Sequence, residues 1–159
     1  MVDPMHERFM EVALEEAEQA LREEEVPIGA AIVYEGRVIA RAHNQREQLH
    51  DPTAHAEMIA ITQASNFLSS KWLQDCTLYV TIEPCSMCAG ALVLARIPRI
   101  FFGAKEPKTG ACGSVINIAD HKSLNHRIEV NGGIFAEECS ALVSEFFQNK
   151  RKKNRVLEN

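Results

Sequence analysis

The stretch CTLYVTIEPC, residues 76–85, constrains the fold of this chain more than any other. It is rich in β-branched and aromatic residues, which is typical of a buried strand. The stretch that follows, SMCAGALVLARI, residues 86–97, has a helical pattern, and no turn sequence separates the two. A buried strand that passes directly into a helix indicates an α/β domain, because the helix must then pack on a sheet.

Helical and strand patterns alternate along the rest of the sequence. The dipeptide Asp51-Pro52 predicts the start of a second helix, which carries His55 and Glu57 and runs to about Asn66. The other predicted elements are a first helix from Asp3-Pro4, a strand hairpin over 28–44 that turns at Glu35-Gly36, a strand over 99–104, an irregular segment over 113–127, a short strand within 127–134 and a long C-terminal helix from 136 to 153.

These elements predict one domain over residues 1–159 that ends in a basic C-terminal tail, 150–159. Helices interleaved with about five strands predict a three-layer α/β/α architecture around a mixed sheet. The hairpin strands should pair antiparallel, whereas strands separated by helices should run parallel through right-handed crossovers. Chemistry in such sheets gathers where strands end and helices begin. His55 and Cys85 both lie at such places.

The composition is that of an ordinary globular protein, with 46% hydrophobic and 25% charged residues. No apolar run approaches the roughly 20 residues that a membrane span needs. The N-terminal segment is acidic and helical, unlike a signal or transit peptide, which predicts a cytoplasmic location. The chain has five cysteines. An odd count without a targeting signal argues against a disulfide framework.

The charges are unevenly distributed around a net value of −5. Residues 1–25 carry nine acidic and two basic side chains, whereas residues 148–159 carry five basic side chains and one acidic one. The negative total argues against a nucleic-acid partner, but the basic end permits a polyanion. A solvated helix end explains the run KRKKNR equally well.

Two thiols and a buried histidine have the spacing of a metal site. Cys85 and Cys88 lie at i and i+3, on one face of the first turn of a helix. The helix dipole is expected to lower the pKa of both thiols. Together with His55 they would leave one position open, as in catalytic zinc sites, where the metal activates a water molecule. Glu57 would then carry the proton of that water to the substrate.

Other interpretations of these cysteines remain open. A C-x-x-C pair can be a redox pair, which would leave His55 and Glu57 unexplained, or half of a four-cysteine structural zinc site. The sequence has no second C-x-x-C, and a fourth ligand could only be a cysteine without a suggestive spacing: Cys76, Cys112 or Cys139.

The spacing of His55 and Glu57 raises a geometric difficulty. Residues i and i+2 of a regular helix project nearly oppositely, so the two side chains share one site only at the first turn or if the glutamate reaches around. Glu57 and Cys85 are separated by 27 residues. The combined pattern, H-x-E followed by P-C-x-x-C, is the signature of zinc nucleobase deaminases.

At these residues the sequence resembles the bacterial tRNA-specific adenosine deaminases of the TadA type, within the cytidine deaminase-like zinc deaminase superfamily. The resemblance extends over nearly the whole chain, through EVPIGAAIV, HNQRE, DPTAHAEMIAI and TLYVTIEPCSMCAGALVLARI. The two zinc motifs alone would also admit cytidine, guanine or deoxycytidylate deaminases. The segments GAKEPKTGACGS, LNHR and FFQNKRKK are closer to the tRNA-acting branch.

The resemblance implies a cytidine deaminase-like fold and the hydrolytic conversion of adenosine to inosine at the wobble position of an arginine tRNA. It implies a homodimer with one zinc ion per subunit and no contact with a membrane. By motif match, His55, Cys85 and Cys88 would bind the zinc. Glu57 would be the catalytic proton carrier.

The resemblance also implies residues for the substrate. Asn44 would hydrogen-bond the flipped purine, with Ile28 against its face. The Ala54 backbone would lie near the reacting edge, and Pro84 would shape the pocket. The candidate contacts to the anticodon stem-loop are Glu106, Lys108, Asn125, His126, Phe146, Phe147, Lys150 and Arg151.

Several of these assignments have a plainer alternative. Asn44 could simply turn the chain after the second strand, Phe146 and Phe147 could belong to the core, and His126 could lie at the surface or at a dimer interface. Glu106 also departs from the resemblance, because the family usually has aspartate there. That difference concerns the preference for bases beside the target.

Two other functions fit the same motifs. A deaminase of free nucleobases or nucleosides would use the same zinc chemistry and would not need the basic tail. A zinc-stabilised partner subunit without activity would bind RNA or another deaminase. The presence of Glu57 argues against the second function, since an inactive subunit has no use for a buried proton carrier.

Overall fold

The computed structural model describes residues 2–158, so the first and last residues of the predicted domain, including the end of its basic tail, lie outside the described part. The chain forms five helices and five strands within that range. They are α1 (Pro4–Arg22), β1 (Gly29–Tyr34), β2 (Arg37–His43), α2 (Arg46–Leu49), α3 (Ala56–Leu68), β3 (Cys76–Ile82), α4 (Ser86–Leu94), β4 (Arg99–Ala104), β5 (Glu129–Gly132) and α5 (Ala136–Glu158).

The five strands form one mixed sheet in the order β2-β1-β3-β4-β5. β1 pairs antiparallel with β2 and with β3, whereas β3–β4 and β4–β5 are parallel. The predicted hairpin is confirmed, with Glu35 and Gly36 at φ 49° and 75°. Two consecutive positive φ angles match the twist of a hairpin with a two-residue turn.

Helices cover both faces of the sheet, which confirms the predicted α/β/α layers. α1 and α5 contact one face, and α3 and α4 lie on the other. Side chains of β3 alternate between the two faces, as the pleat requires. Leu78 and Val80 pack in the core with α3 and α4, whereas Tyr79 packs with Phe9 and Met10 of α1.

The start of the second long helix differs from the prediction. α3 begins at Ala56, not at the Asp51-Pro52 dipeptide. The Asp51 carboxylate accepts hydrogen bonds from the Thr53 amide (2.8 Å) and hydroxyl (2.7 Å), so it closes a local turn instead of capping a helix. Residues 46–49 before it form the separate short helix α2. His55 therefore precedes the helix.

No helix in the described range, 2–158, combines the length and the apolar character that crossing a bilayer requires.

Candidate active site

The position of His55 removes the geometric difficulty of the H-x-E pair. His55 is the N-cap residue of α3 and has extended backbone angles, φ −74° and ψ 152°. The rule that residues i and i+2 of a helix project oppositely does not apply to a residue outside the helix. His55 and Glu57 can therefore address the same space at the start of α3.

Cys85 has the same place at the start of α4. It is the N-cap residue, with φ −76° and ψ 178°, and Cys88 lies in the first turn. The Sγ atoms of Cys85 and Cys88 lie 3.7 and 3.6 Å from His55 Nδ1. The three ligand atoms lie within 4.8 Å of one another and could hold a metal ion. All three candidate ligands therefore lie at the N-termini of two helices, His55 at α3 and the two cysteines at α4.

Cys76, Cys112 and Cys139 do not join this cluster. Within residues 2–158, His55, Cys85 and Cys88 form the one group of three or more metal-ligating side chains close enough to share an ion. All five cysteines are free thiols. This arrangement does not fit a closed four-cysteine site, and it leaves one coordination position without a protein ligand.

The two thiols of the cluster differ in acidity, contrary to the expectation that the helix dipole lowers both. A hydrogen bond from Cys88, and then one from His55, holds the pKa of Cys85 at about 3. The same bond to Cys85, together with burial, raises the pKa of Cys88. One thiolate thus retains the proton of its neighbour, and a bound cation would displace that proton.

Glu57 lies in the first turn of α3, beside the three ligands, and its side chain is only 4% exposed. Burial raises its pKa, and the charge of His55 opposes that rise. A carboxyl group that is neither strongly acidic nor committed to a structural ion pair is suited to accept and return a proton.

A small cavity of about 70 Å³ opens beside this cluster. The ligand His55 and the acid Glu57 form one side, and the residues after α1 and after β2 form the other. Its lining residues are Val26, Ile28, Asn44, Arg46, His55, Ala56 and Glu57. The predicted substrate residues Ile28 and Asn44 are therefore brought together with the metal ligands.

Asn44 both turns the chain and lines this cavity. Its Oδ1 accepts a hydrogen bond from the Arg46 amide and its Nδ2 donates to the Val26 carbonyl, each at 3.2 Å. These contacts fix a side chain that is 4% exposed. Asn44 therefore has the turn-forming role given as its plainer alternative, and it also lies in the predicted pocket.

The other two predicted pocket residues lie behind the lining. The carbonyl of Ala54 accepts a hydrogen bond from the Gln45 amide at 3.0 Å, and the carbonyl of Pro84 accepts one from the Ala111 amide at 2.9 Å. Both residues are buried. Ala54 thus joins the start of α3 to the segment after β2, and Pro84 joins the start of α4 to the loop after β4.

Comparison with known proteins agrees with this geometry. Residues 5–151 match the family model of the MafB19-like deaminases. A tRNA-specific adenosine deaminase of Aquifex aeolicus is 50% identical over 151 residues, covering 95% of this chain and 98% of that protein. The chain belongs to the family of the tRNA-specific adenosine deaminases. Its Bacillus subtilis member is 46% identical over 150 residues, covering 94% of this chain and 93% of that protein.

A solved structure of the family has the same fold. That structure was solved in a study of A-to-I editing by tRNA:A34 deaminases at the wobble position of transfer RNA. It superposes with a TM-score of 0.82 at 44% identity, over 85% of this chain and 98% of that one. The predicted fold class, a three-layer cytidine deaminase-like domain with a mixed five-stranded sheet, is confirmed.

In this family member a wide groove of about 1020 Å³ adjoins the small cavity and shares Val26, Asn44 and Arg46 with it. Its far side is α5, whose contributing residues are Phe146, Asn149, Lys150, Lys152 and Lys153. Lys153 forms an ion pair with Glu24 across the groove. The groove thus joins the candidate metal site to the basic end of α5.

The two adjacent phenylalanines of α5 have different surroundings. Phe146 is partly buried and lines the groove, whereas Phe147 is 41% exposed and meets the Phe146 ring edge-on at 5.1 Å. Neither belongs to the buried core. Lys150 lines the groove, and the exposed Arg151 does not.

Glu106 and Lys108 lie on a loop beside the metal ligands. Glu106 Oε1 accepts a hydrogen bond from the Lys108 amide at 2.9 Å. The same loop reaches Cys85 through a bridge between Gly110 and Cys85. Both predicted RNA contacts therefore lie at the rim of the candidate site.

Asn125 and His126 lie elsewhere. Asn125 Oδ1 accepts from Arg96 at 2.9 Å, and His126 Nε2 donates to the Ile97 carbonyl at 2.7 Å. Arg96 and Ile97 follow the C-terminal end of α4, whereas the metal ligands lie at its N-terminal end. The fold does not bring these two residues to the metal site of their own chain.

Sequence reasoning missed two buried carboxylates near the site. Glu25 accepts hydrogen bonds from the Glu47 and Gln48 amides, each at 2.9 Å, and so holds the start of α2. Glu83 precedes the P-C-x-x-C motif and accepts four hydrogen bonds from the loop after β4. The position of Glu83 at the end of a strongly apolar strand was the available signal.

Proposed function

We propose that this chain is a zinc-dependent adenosine deaminase that converts adenosine to inosine at the wobble position of an arginine tRNA. The cluster of His55, Cys85 and Cys88 beside the buried acid Glu57 carries the proposal. The tRNA substrate follows from the relatives, which are 42–50% identical over most of the chain. The activity corresponds to a cytoplasmic location, where tRNA is found.

The ligand atoms fit zinc in their chemistry and their spacing. Two sulfur donors and one imidazole nitrogen favour zinc over the harder divalent cations. A tetrahedral zinc ion with bonds of about 2.3 Å to sulfur and 2.0–2.1 Å to nitrogen separates these atoms by roughly 3.6 Å. The observed Sγ–Nδ1 distances are 3.6 and 3.7 Å. Bound zinc would lower the pKa of a water molecule and so supply the nucleophile.

Glu57 would move the protons of the reaction. Its carboxylate would accept a proton from the attacking water, whose oxygen bonds to C6 of the purine. The carboxyl group would deliver that proton to N1, and would then carry the proton of the new C6 hydroxyl to the amino group, which leaves as ammonia when the C6–N bond breaks. The raised pKa of Glu57, caused by burial, suits a group that must hold the proton between these steps.

The cavity residues would hold the flipped base. Asn44 and Ile28 lie opposite Glu57 in the cavity, where the amide could hydrogen-bond the purine and the isoleucine could contact its face. The buried residues Ala54 and Pro84 would hold the backbone next to His55 and Cys85 in place, through their bonds to Gln45 and Ala111. An anticodon loop presents unpaired bases, so extrusion of the target costs less than it would in a duplex.

The groove would bind the rest of the anticodon loop. Phe146 and the exposed Phe147 could stack on unpaired bases, and Lys150 and Arg151 could neutralise phosphates. Glu106 and Lys108 would contact the loop from the opposite rim. Such contacts would overcome the net negative charge of the protein, because nine of its 22 acidic side chains lie in residues 1–25, whereas five basic side chains lie in residues 148–159.

We also propose that the protein is a homodimer. The outer face of α4 is apolar: Leu94 is 76% exposed, and Met87 and Gly90 line a shallow groove with Met58 and Leu124. An exposed apolar face of this kind is typical of a protein interface. Asn125 and His126 adjoin this face, so they would contact RNA bound at the site of the second copy.

A deamination assay on purified protein of known metal content tests the function. The substrates are an arginine anticodon stem-loop with adenosine at the wobble position, the same stem-loop with that adenosine moved by one loop position, and free adenosine, cytidine and guanine. Inosine only at the wobble position supports the proposal. Turnover of a free base with an untouched stem-loop would replace the substrate and keep the zinc chemistry.

The role of the basic end of α5 needs a separate test. Replacing Lys150, Arg151, Lys152 and Lys153 by alanine should weaken stem-loop binding and reduce the salt dependence of log Kd, by roughly 0.7 for each lost phosphate contact. Arg37→Ala is the control, because Arg37 is an exposed cation at the hairpin turn, away from the groove. An unchanged salt slope in the fourfold variant would mean that the tail is only a solvated helix end.

A further inference from the structure

We propose that Glu83 is a positioning residue that holds the loop from Glu106 to Ser114 against the turn of Cys85. Through this loop it would set the selectivity for the nucleotides that flank the target adenosine. The inference rests on the proposed function, since it concerns the substrate of the same site. It assigns a task to the most extensively hydrogen-bonded carboxylate of the residues that the structure describes.

Glu83 is buried, with 3% of its side chain exposed, and both of its oxygens are used. Oε1 accepts hydrogen bonds from the Glu106 amide (3.1 Å) and from the Ser114 hydroxyl. Oε2 accepts from the amides of Cys112 (3.0 Å) and Ser114 (3.1 Å). Hydrogen bonds to an ionised acceptor are stronger than neutral ones, so one side chain fixes three points of this loop.

The backbone around Glu83 binds the end of β4 and the same loop. The Glu83 amide donates to the Ala104 carbonyl, and the Ala111 amide donates to the Pro84 carbonyl, both at 2.9 Å. Cys85 forms a bridge with Gly110. Three consecutive residues, the last of them a metal ligand, are thus joined to the loop. A displacement of the loop changes the rim of the site directly.

The approach between carboxylate and loop is very close at Gly110. A Cβ atom at this position would lie 2.4 Å from Glu83 Oε2 and 2.5 Å from the Glu106 carbonyl oxygen. Carbon atoms are not found at such distances, so a residue without a side chain is required here. The close packing means that the loop has little freedom while the carboxylate stays in place.

The loop carries side chains that face outward at the rim. Lys108 is exposed, as is Lys105 directly before the loop, and Glu106 is partly exposed, with its carboxylate oriented by the Lys108 amide. A target base held beside His55 and Cys85 leaves its chain neighbours at the rim. Glu83 itself is buried and touches no substrate. It would act on the neighbouring nucleotides only by fixing where these side chains stand.

The variant Glu83→Gln tests the inference with little change of volume. Glutamine keeps one acceptor oxygen, which can still receive the Cys112 and Ser114 amides, but its NH2 group then faces the Glu106 amide, so that contact is lost while the bonds at Pro84 and Cys85 remain. The readout is the ratio of kcat/KM for a stem-loop with the native neighbours to that for one with a changed base beside the target. We expect this ratio to fall by about tenfold in Glu83→Gln and by roughly twofold to threefold in Ser114→Ala.

Hydrogen exchange supplies the structural readout. The Glu106 amide should lose protection in Glu83→Gln, whereas the Ala111 amide, which is bonded to Pro84, should keep it. Ile100→Val is the control for a general loss of stability, because Ile100 is fully buried at the start of β4, away from the loop. Metal content should equal that of the wild type in every variant.

An unchanged ratio in Glu83→Gln with lost amide protection would overturn the inference, as would an equal fall in Ile100→Val. If Glu83→Gln does not fold, Ser114→Ala decides: a wild-type ratio in it overturns the proposal. Failure of the proposed function looks different, because the wild type would then leave the wobble adenosine of every stem-loop unchanged.

Discussion

Two glutamates lie close to the candidate metal site, and both are almost completely buried, yet their surroundings are opposite. Burial raises the pKa of Glu57. Burial also raises the pKa of Glu83, but hydrogen bonds from Ser114 and from the backbone amides of the loop outweigh it, so the net pKa is lowered. The surroundings of Glu83 therefore favour its ionised form, whereas burial favours the protonated form of Glu57.

At similar burial, the hydrogen-bond partners decide in which direction the pKa of each carboxyl group is shifted. Glu83 stands at the end of β3, where the loop after β4 supplies its donors. Glu57 stands in the first turn of α3 and faces His55 and the thiols. The two pKa values differ in direction because the end of β3 packs against a loop rich in amide donors, whereas the start of α3 packs against the metal-site cluster.

Glu57→Gln should produce the largest effect, a loss of about 10²–10⁴-fold in kcat for the stem-loop. The amide cannot accept the proton of the attacking water. Metal content and the circular dichroism spectrum should stay as in the wild type, because Glu57 is not a ligand. Loss of the metal from this variant would contradict its assigned role. Glu83→Gln is the matched carboxylate-to-amide change and should retain much more of the turnover.

Removal of the metal should have the next largest effect, and the resulting fall in Tm should be the same in the Glu57 and Glu83 variants. A chelator should lower the Tm of the wild type, Glu57→Gln and Glu83→Gln alike, since a metal that binds only the native state stabilises it by about 4 kcal/mol at a free concentration roughly 1,000 times Kd. Cys85→Ala, which lacks a ligand, should have a low Tm already and should not respond. A Tm of Glu57→Gln that is insensitive to the chelator would make Glu57 a ligand.

In unfolding experiments the order of the two variants should be reversed: Glu83→Gln should lose more stability than Glu57→Gln, although it loses less turnover. Glu83→Gln should lower the free energy of unfolding by about 1–3 kcal/mol, because the Glu106 amide loses its acceptor and the remaining bonds lose their charged one. Glu57→Gln should be neutral or slightly stabilising, since it removes a carboxyl group whose burial costs free energy. Urea unfolding of the two metal-loaded variants measures the difference. Equal values would show that the contrast in hydrogen bonding has no energetic consequence.

Ser114→Ala gives the smallest expected change. It removes one of the four donors to Glu83 and keeps the Ser114 amide in place, so the free energy of unfolding should fall by roughly 0.5–1.5 kcal/mol. Thr62→Ala is a suitable control, because the exposed Thr62 hydroxyl only donates to the Met58 carbonyl within α3. A loss in Ser114→Ala no greater than in the control would mean that the hydroxyl contact is dispensable.

Much of the fold and the ligand set could be predicted from the sequence. The apolar strand at 76–82 and the hairpin turn at Glu35-Gly36 are local patterns, and each element adopts the predicted structure. His55, Cys85 and Cys88 were identifiable because residue type and spacing express the coordination chemistry. The start of α3 was predicted wrongly, since the Asp51 side chain can close a turn or cap a helix, and only the surrounding structure selects between them.

Local sequence patterns predicted most of the helices and strands, and residue type and spacing made the candidate ligands and the candidate acid recognisable. The contacts of the remaining residues depend on tertiary packing. Glu83 meets donors that are 23 to 31 positions away along the chain. Asn125 and His126 are attached to the far end of α4, away from the metal site of their own chain. Backbone propensity and hydrophobic periodicity act over a few neighbouring residues. The partner of a buried charge depends instead on how distant segments pack, and that packing gives Glu83 its four donors and leaves Glu57 beside His55 and the thiols.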